Sequence, residues 1–406
     1  MTKMMATAIS HKTIYATPFH NLQKLRILKE LGVFLPRTNF VYNKVPMKPQ
    51  AELILNFFFR FAAIFAIVFV LISFKPFTTT APPETAPVST IDLTHTAPRT
   101  PPALPAMYQS QYLNPLDIPR TYIQNTCQYL HNKWNPISAQ PGTVVMIVMF
   151  NEIVMDDFDK IMIQLHDQGF EAIDTKQLLA FMERNVHIPK RSVMIIQNDS
   201  HSTADFLRNY REYWERWKWV VVNGWTTNPD SPESLWLENI NMEKEGWVDH
   251  QAQGVFPDTV LSDETSKAVL TRELEGPIIP FIKLFDKNPI AIMWPGGGFG
   301  QRPVEAARQL GYQLGFTSNA RGPVMFNWVP LADEVDPKRP TYIPEGYIGD
   351  PLMTLPRYWP DQILNNIDDV RIIGEEAAAY AQANKAIELE YYDIMCANTY
   401  GPMPTP

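Results

Sequence analysis

The stretch SVMIIQNDSHSTADFLRNYREYWERWKWVVVNGW, residues 192–225, contains two apolar segments separated by an amphipathic one. SVMIIQ and KWVVVNGW are short, apolar and rich in β-branched residues, so they predict buried strands, whereas TADFLRNYREYWERW has apolar residues at helical spacing. A buried strand, a helix and a second buried strand form the repeating unit of a parallel sheet. The stretch therefore predicts an α/β fold.

The same alternation continues on both sides of this unit. GTVVMIVMF (142–150) predicts a strand, followed by a helix that ends at Gly169, and PIAIMW and YQLGFT predict later strands. About seven strands separated by helices predict an α/β barrel, complete or with one gap. Functional residues of such barrels lie at the carboxyl ends of the strands. In this chain those ends are polar, aromatic or rich in glycine: 150–152, 198–201, 224–225, 249–250 and 294–296.

The chain before the barrel predicts a membrane anchor. Residues 51–74 are apolar except for Glu52, Asn56, Arg60 and Ser73, and 24 residues are enough to cross a bilayer as a helix. A buried core helix is the alternative, but this segment is apolar on every face. Residues 1–50 carry eight Lys and Arg against one Glu, which predicts a cytoplasmic tail, a signal anchor and an extracytoplasmic domain.

Residues 75–116 are rich in Pro, Thr and Ala and predict an extended linker. The globular domain is predicted over 117–396, and 397–406 is predicted to be a loose tail. Translation from Met47 in place of Met1 stays open. Cys127 and Cys396 lie near the two ends of the domain, where they form either a disulfide or two free buried thiols.

Charge and cysteine content argue against one class of partner and two kinds of site. The formal net charge of −8 argues against nucleic acid as a partner, because phosphate recognition needs a basic face. The two cysteines lack C-x-x-C spacing, so neither a zinc ribbon nor a thioredoxin-type redox site is predicted. The sequence does not indicate an oligomeric state.

Several segments between about 140 and 360 resemble the polysaccharide deacetylase (NodB-homology) family. They are the strand ending in Asn198-Asp199 before a helix, the strand ending in His250, the Pro-Gly-rich end of MWPGGG, and ARQLGYQLGFTSNARG. The resemblance implies a deformed (β/α) barrel that removes acetyl groups from N-acetylated sugars with the help of a divalent metal. A carbohydrate polymer is the implied partner.

The catalytic motifs depart from the family pattern. The first, T-F-D-D-G, aligns with residues 196–200, so the metal-binding aspartate is kept as Asp199, while Asn198 stands at the position of the catalytic base. An amide cannot accept a proton from bound water at neutral pH. The second motif, H-x-x-x-H, keeps His250 but has Gly254 at its second histidine. The third, R-x-P-x-G, keeps a proline and glycines in MWPGGG without the arginine, and Arg357 in LPRYWP matches a later family element.

Three residues remain as candidate metal ligands. Asp199, His250 and His201 would suit Zn²⁺, Co²⁺ or Fe²⁺, which accept carboxylate and imidazole. The alternatives are a helix N-cap for Asp199 and a helix N-terminal contact or exposed side chain for His201. Asp249 and Glu152 are equally good candidates for a replacement base, and the alternative for both is a solvated carboxylate at a strand end.

Aromatic and glycine residues at the strand ends predict a carbohydrate groove, since flat rings pack against sugar faces. Its candidate residues are Trp225, Trp294, Pro295, Gly296, Arg357 and Trp359.

Three functions are compatible with this sequence. The first is a membrane-anchored extracytoplasmic deacetylase acting on an envelope or secreted glycan. The second is an inactive protein of the same fold that binds glycan. The third is a glycoside hydrolase, which would need two carboxylates, here Asp199 and Glu152, about 5–10 Å apart.

Overall fold

The computed structural model describes residues 99–151, 155–199, 201–337, 340 and 343–404. The predicted tail, the predicted membrane segment at 51–74 and most of the linker lie outside these residues, and so does Glu152. Among the helices that the structure describes, none combines the length and the apolar character needed to cross a bilayer.

The predicted parallel sheet is confirmed. Seven strands form one sheet in the order β2-β4-β5-β6-β7-β8, with the short β3 paired to β4. All its pairings are parallel. Its strands are β2 Val144–Phe150, β3 Glu171–Ala172, β4 Arg191–Gln197, β5 Val221–Trp225, β6 Val248–Ala252, β7 Ala291–Met293 and β8 Leu314–Phe316. A separate antiparallel pair joins β1 Asp117–Arg120 to β9 Val329–Ala332.

An irregular segment closes the gap between the two edges of the sheet. Leu355 forms a parallel bridge to Phe316 of β8, and Tyr358 forms one to Val148 of β2. The sheet is thus a curled parallel sheet, consistent with the predicted barrel, and residues 355–358 bridge its two edges.

Helices follow most strands and cover the outside of the barrel, as the alternating pattern predicts. They are α1 Thr126–Trp134, α2 Met155–Asp167, α3 Thr175–Arg184, α4 Thr203–Asn209, α5 Arg211–Trp217, α6 Glu233–Glu245, α7 Lys267–Leu270, α8 Ile278–Phe285, α9 Gln301–Gln309, α10 Pro360–Met395 and α11 Ala397–Tyr400. A π-helix, Thr271–Glu275, follows α7. The single helix predicted over 203–217 is two helices, because the backbone leaves helical geometry at Tyr210.

Side-chain alternation along the strands separates two apolar layers. Ile147, Met194 and Phe316 point into the barrel and pack together in its interior. Val148 and Ile195 point outward and pack beneath the helices. This period of two decides which residues beyond each strand end face the mouth of the barrel.

Cys127 and Cys396 form a disulfide with a Cα–Cα distance of 5.2 Å. The bond joins α1 to the end of the long helix α10 and spans 269 residues of sequence. Of the two alternatives left open by the sequence, the disulfide is the correct one.

Candidate functional site

Two inward-facing side chains meet at the mouth of the barrel. Asn198 follows the inward residues Met194 and Ile196 of β4 by the same period of two, and Arg357 follows the inward residue Leu355 of the closing segment. The Arg357 guanidinium donates from Nη1 to Asn198 Oδ1 at 2.7 Å and from Nε to the Thr317 carbonyl at 2.7 Å. Both residues are buried.

The Asn198 amide is held on both sides. While its oxygen accepts from Arg357, its Nδ2 donates to Asn151 Oδ1 at 2.6 Å. Burial lowers the pKa of Arg357 to about 9, and the charge of Asp199 opposes that shift, so the guanidinium stays charged at neutral pH. The position that resembles a catalytic base is therefore a fixed amide that accepts from a cation.

Asp199 adopts a left-handed backbone conformation, with φ of 65°. This conformation is uncommon for residues other than glycine, although aspartate tolerates it better than most. Gln253 contacts Asp199 at two points: its Oε1 accepts from the Asp199 N–H at 2.8 Å, and its Nε2 donates to Asp199 Oδ1 at 2.7 Å. We call this contact the Asp199–Gln253 lock.

The Asp199 carboxyl ionises less readily than that of an exposed aspartate. Burial raises the pKa of the carboxyl above its ordinary value, and the neighbouring His201 and Gln253 partly oppose that shift. His201 Nε2 lies 2.9 Å from the Asn198 carbonyl oxygen and 2.9 Å from Gln197 Nε2. The N-cap of α4 is Ser202, so the alternative reading of Asp199 as a helix cap is wrong.

The structure does not place Asp249 at the mouth. Strand β6 continues beyond the predicted end at His250 as far as Ala252, which leaves Asp249 near the start of the strand. Its carboxylate contacts Lys287, Thr175 and Gln251. Burial raises its pKa, but the Lys287 ammonium and these hydrogen bonds outweigh burial and lower it below the ordinary value. Asp249 is thus a paired internal charge, and its prediction as a base is wrong.

His250 lies on the outer face of the sheet, because it is one residue out of phase with the inward side chains of β6. It is fully buried, with Nδ1 2.8 Å from Glu243 Oε2 and Nε2 2.9 Å from Asn239 Oδ1. Both ring nitrogens are engaged. The prediction that His250 joins Asp199 in binding a metal is therefore wrong for this structure.

The residues at the mouth do not fit a divalent metal. Within the part of the chain that the structure describes, no three His, Cys, Asp or Glu side chains are grouped as metal ligands. Gly254, at the position of the second family histidine, has φ of 80°, and a side chain there would lie 2.8 Å from the Glu273 carboxylate. Asp199 and His201 alone are fewer donors than a protein zinc site normally supplies.

The tryptophans predicted to line a carbohydrate groove lie in two different places, the core and the mouth. Trp225 is buried against Trp236, with ring centroids 4.7 Å apart, and buried Trp294 donates to the Met353 carbonyl at 2.8 Å. These two tryptophans pack the core, and their prediction as sugar platforms is wrong. Trp359 is half-buried and donates to the Ser318 carbonyl. It stays a candidate platform.

The glycine-rich end of β7 forms a turn. Pro295 is buried, and Gly296 is exposed with φ of 57° in a short 3₁₀ turn, Pro295–Gly297. Gly296 N–H donates to the Pro257 carbonyl at 2.7 Å, so the turn braces the loop that follows β6. A role of this turn in sugar binding stays a prediction.

Sequence reasoning missed two residues of the site, Gln253 and Asn151. The signal for Gln253 was the period of two: extending β6 by two residues points residues 249, 251 and 253 inward, with 253 nearest the mouth. Asn151 directly follows β2, and its amide completes the contact with Asn198.

No family model and no curated protein matches this chain. Several solved structures are similar to it. The deacetylase PplD from Streptococcus pyogenes, in complex with acetate, is 18% identical, with 56% of this chain and 99% of that chain covered and a TM-score of 0.43. BC0361, a polysaccharide deacetylase from Bacillus cereus, is 15% identical, covering 55% and 69%, with a TM-score of 0.42. The deacetylase domain of BpsB from Bordetella bronchiseptica is 12% identical, covering 54% and 96%, with a TM-score of 0.39. These neighbours are deacetylases, the kind of protein that the sequence resembles.

Proposed function

We propose that this chain is a deacetylase-like protein that binds an N-acetylated carbohydrate polymer at the mouth of the barrel without metal-assisted hydrolysis. One observation carries the proposal. The carboxyl ends of β2, β4 and β6 and the closing segment bring together the neutral amides of Asn151, Asn198 and Gln253 with one guanidinium, Arg357. Amides and a guanidinium suit recognition of hydroxyl and amide groups.

The same arrangement disfavours hydrolysis. A base at residue 198 would have to accept a proton, but Asn198 Oδ1 already accepts from a charged guanidinium, and the Asn198 amide has negligible basicity. The carboxylate of Asp199 is bound internally by Gln253. Binding is therefore the better supported activity.

We place the domain outside the cytoplasm, tethered by residues 51–74. The basic tail at 1–50 and the apolar segment support this orientation. The disulfide between Cys127 and Cys396 supports it independently, because such bonds persist in oxidising compartments. The negative net charge is consistent with a partner other than nucleic acid.

The experiment compares two ligands and two readouts. The purified full-length protein is titrated calorimetrically with chitooligosaccharide and with the fully deacetylated oligomer, and acetate release is measured in parallel. We expect binding of the acetylated oligomer, no release of acetate, and affinity at least about ten-fold weaker in Arg357→Lys, since an ammonium cannot reproduce the two-point guanidinium contact. Failure of the wild type to bind either oligomer would refute the proposal.

A hydrolase acting on the same amide bond is the second candidate. The observation in its favour is the half-buried Asp199 carboxyl, whose pKa is raised, two residues from His201 at the same mouth. This pair resembles an acid and a base placed side by side. Acetate release by the wild type that disappears in both Asp199→Asn and His201→Asn would establish this candidate in place of the first.

A further inference from the structure

A buried cluster of charges connects β6 with the last turn of α6 and with Lys287, which follows α8. Glu243 of α6 contacts His250 through Oε2 and Lys287 through Oε1. Lys287 also contacts Asp249 Oδ1 at 2.7 Å. All four side chains are largely buried, and the His250 side chain is fully so. We call these four residues the charge quartet.

The protonation state of His250 follows from its two partners. Glu243 Oε2 is a carboxylate oxygen, which accepts hydrogen bonds. The orientation of Asn239 is fixed because its Nδ2 donates to two carbonyls, those of His201 at 3.0 Å and Leu235 at 2.8 Å. Asn239 therefore presents its oxygen to His250 Nε2 at 2.9 Å. Both ring nitrogens face acceptors, and a neutral imidazole has only one N–H.

Charge balance and ring contacts agree with an imidazolium. With His250 and Lys287 positive and Glu243 and Asp249 negative, the quartet is neutral, which is the condition under which buried charges persist. Burial is the largest influence on His250 and lowers its pKa, while the hydrogen bond to Glu243 and the charges of Glu243 and Asp249 oppose that shift. The two acceptors that face the ring nitrogens are therefore the observation that supports the imidazolium. The face of Phe285 is stacked on the ring at 4.4 Å, a geometry that favours a cation.

The quartet is connected to the mouth through Asn239. The carbonyl that Asn239 holds belongs to His201, two residues after Asp199, at the junction where β4 leads into α4. Asn239 is itself fully buried. The position of residues 199 and 201–203 therefore depends on the same amide whose oxygen contacts His250.

We propose that His250 is a doubly protonated positioning residue, which orients Asn239 and thereby holds the binding junction. The inference rests on the proposed function only in that the junction is taken as part of the glycan site.

The protonation state is tested by nuclear magnetic resonance of the full-length protein with ¹⁵N-labelled histidine at pH 7. We expect both ring nitrogens of His250 to carry a slowly exchanging proton, seen as two one-bond N–H couplings that disappear in His250→Gln. A single N–H in the wild type would overturn the proposal. This readout needs no ligand, so it stands even if no glycan binds.

The positioning role is tested with Asn239→Ala and a matched control, Met242→Ala. Both residues are buried on α6, one turn apart, but Met242 packs in the apolar layer and has no hydrogen bond to the junction. We expect Asn239→Ala to shift the amide resonances of residues 199 and 201–203 and to weaken chitooligosaccharide binding at least ten-fold. Met242→Ala is expected to lower the melting temperature and leave the affinity unchanged.

Three outcomes distinguish a positioning role from general destabilisation and from failure of the proposed function. Unshifted junction resonances in Asn239→Ala would overturn the positioning role whatever the ligand. Equal loss of affinity in both variants would also overturn it, since the effect would then be general destabilisation. Shifted resonances in a protein that binds no glycan would uphold the positioning role and refute the proposed function alone.

Discussion

At the scale of single residues, the geometry of the mouth depends on Gly224, which has no side chain. A Cβ at Gly224 would lie 2.6 Å from Gln253 Oε1, the atom that accepts from the Asp199 N–H. Glycine at this position of β5 therefore provides the space in which the Asp199–Gln253 lock forms. The lock in turn stabilises the left-handed backbone of Asp199, which would otherwise be strained.

Gly224→Ala is expected to displace Gln253 and to weaken glycan binding at least about ten-fold, or 1.4 kcal/mol. Titration calorimetry measures the affinity. Gly246→Ala is the control: it meets open space but has φ of 79°, so it should cost about 1 kcal/mol of stability and leave affinity unchanged. Wild-type affinity in Gly224→Ala would show that the lock is not needed for binding.

Asn223 offers a second test at this scale. Its side chain is fully buried on β5, and neither its nitrogen nor its oxygen has a hydrogen-bond partner within the described chain. Asn223→Val is expected to raise the free energy of unfolding by about 1 kcal/mol, because an unpaired buried amide is removed. Asn239→Leu, which removes a fully bonded amide, should lower it by at least as much. Denaturant unfolding measures both, and destabilisation by Asn223→Val would contradict this account.

At the scale of elements, the sequence predicted which segments are strands and helices better than where they end. Strand β6 shows why. In WVDHQAQ the apolar signal stops at Val248, and the next inward residues, Asp249, Gln251 and Gln253, are polar. Their partners come from distant elements, such as Thr175 of α3 and Lys287 after α8, and no local pattern reveals such partners.

The same limit applies to the site. Asn198, Asp199 and Arg357 were predicted because they adjoin clear strand or motif signals. His250 was misplaced by the shortened strand, and a shift of one residue moves a side chain to the other face of a sheet. Trp225 and Trp294 were misplaced because burial depends on packing against α6, α8 and residues 351–353, which the local sequence does not specify.

The disulfide between α1 and α10 is the element-scale feature with the largest expected effect on stability. Closing a loop of 269 residues lowers the conformational entropy of the unfolded chain, which stabilises the folded state by about 6 kcal/mol in the chain-entropy model. The double variant Cys127→Ser/Cys396→Ser is expected to melt well below the wild type, and a reductant should lower the melting temperature of the wild type alone. Calorimetry with and without reductant measures this, and identical melting would contradict a stabilising role.

At the scale of the whole molecule, the charge quartet predicts how stability depends on pH. Burial raises the pKa values of Glu243 and Asp249, but their partners outweigh burial and leave both below the ordinary values. Carboxyls with lowered pKa values bind fewer protons folded than unfolded, so the folded state gains stability as the pH rises. Stability should therefore be lost as the pH falls below about 4.5, where unfolded Glu and then Asp take up protons.

Lys287→Met is expected to flatten this acid dependence and to lower stability at pH 7 by about 3–5 kcal/mol, since it leaves buried carboxylates without their ammonium. Urea unfolding between pH 3.5 and 7 gives the measurement. Lys283→Met, at an exposed position in the last turn of α8, is the control and should follow the wild type. The same slope in Lys287→Met as in the wild type would show that the quartet does not control acid stability.

If residues 51–74 anchor the protein as proposed, the disulfide also has a mechanical consequence. Tension from an anchor at residues 51–74 would enter the described chain at Arg99 and reach Cys127, where the covalent bond to Cys396 passes it to α10. Helix α10 begins at Pro360, directly after Arg357, Tyr358 and Trp359. A pulling force between the membrane and a polymer held at the mouth would thus first meet the pairing of β1 with β9 and then travel along the disulfide and α10.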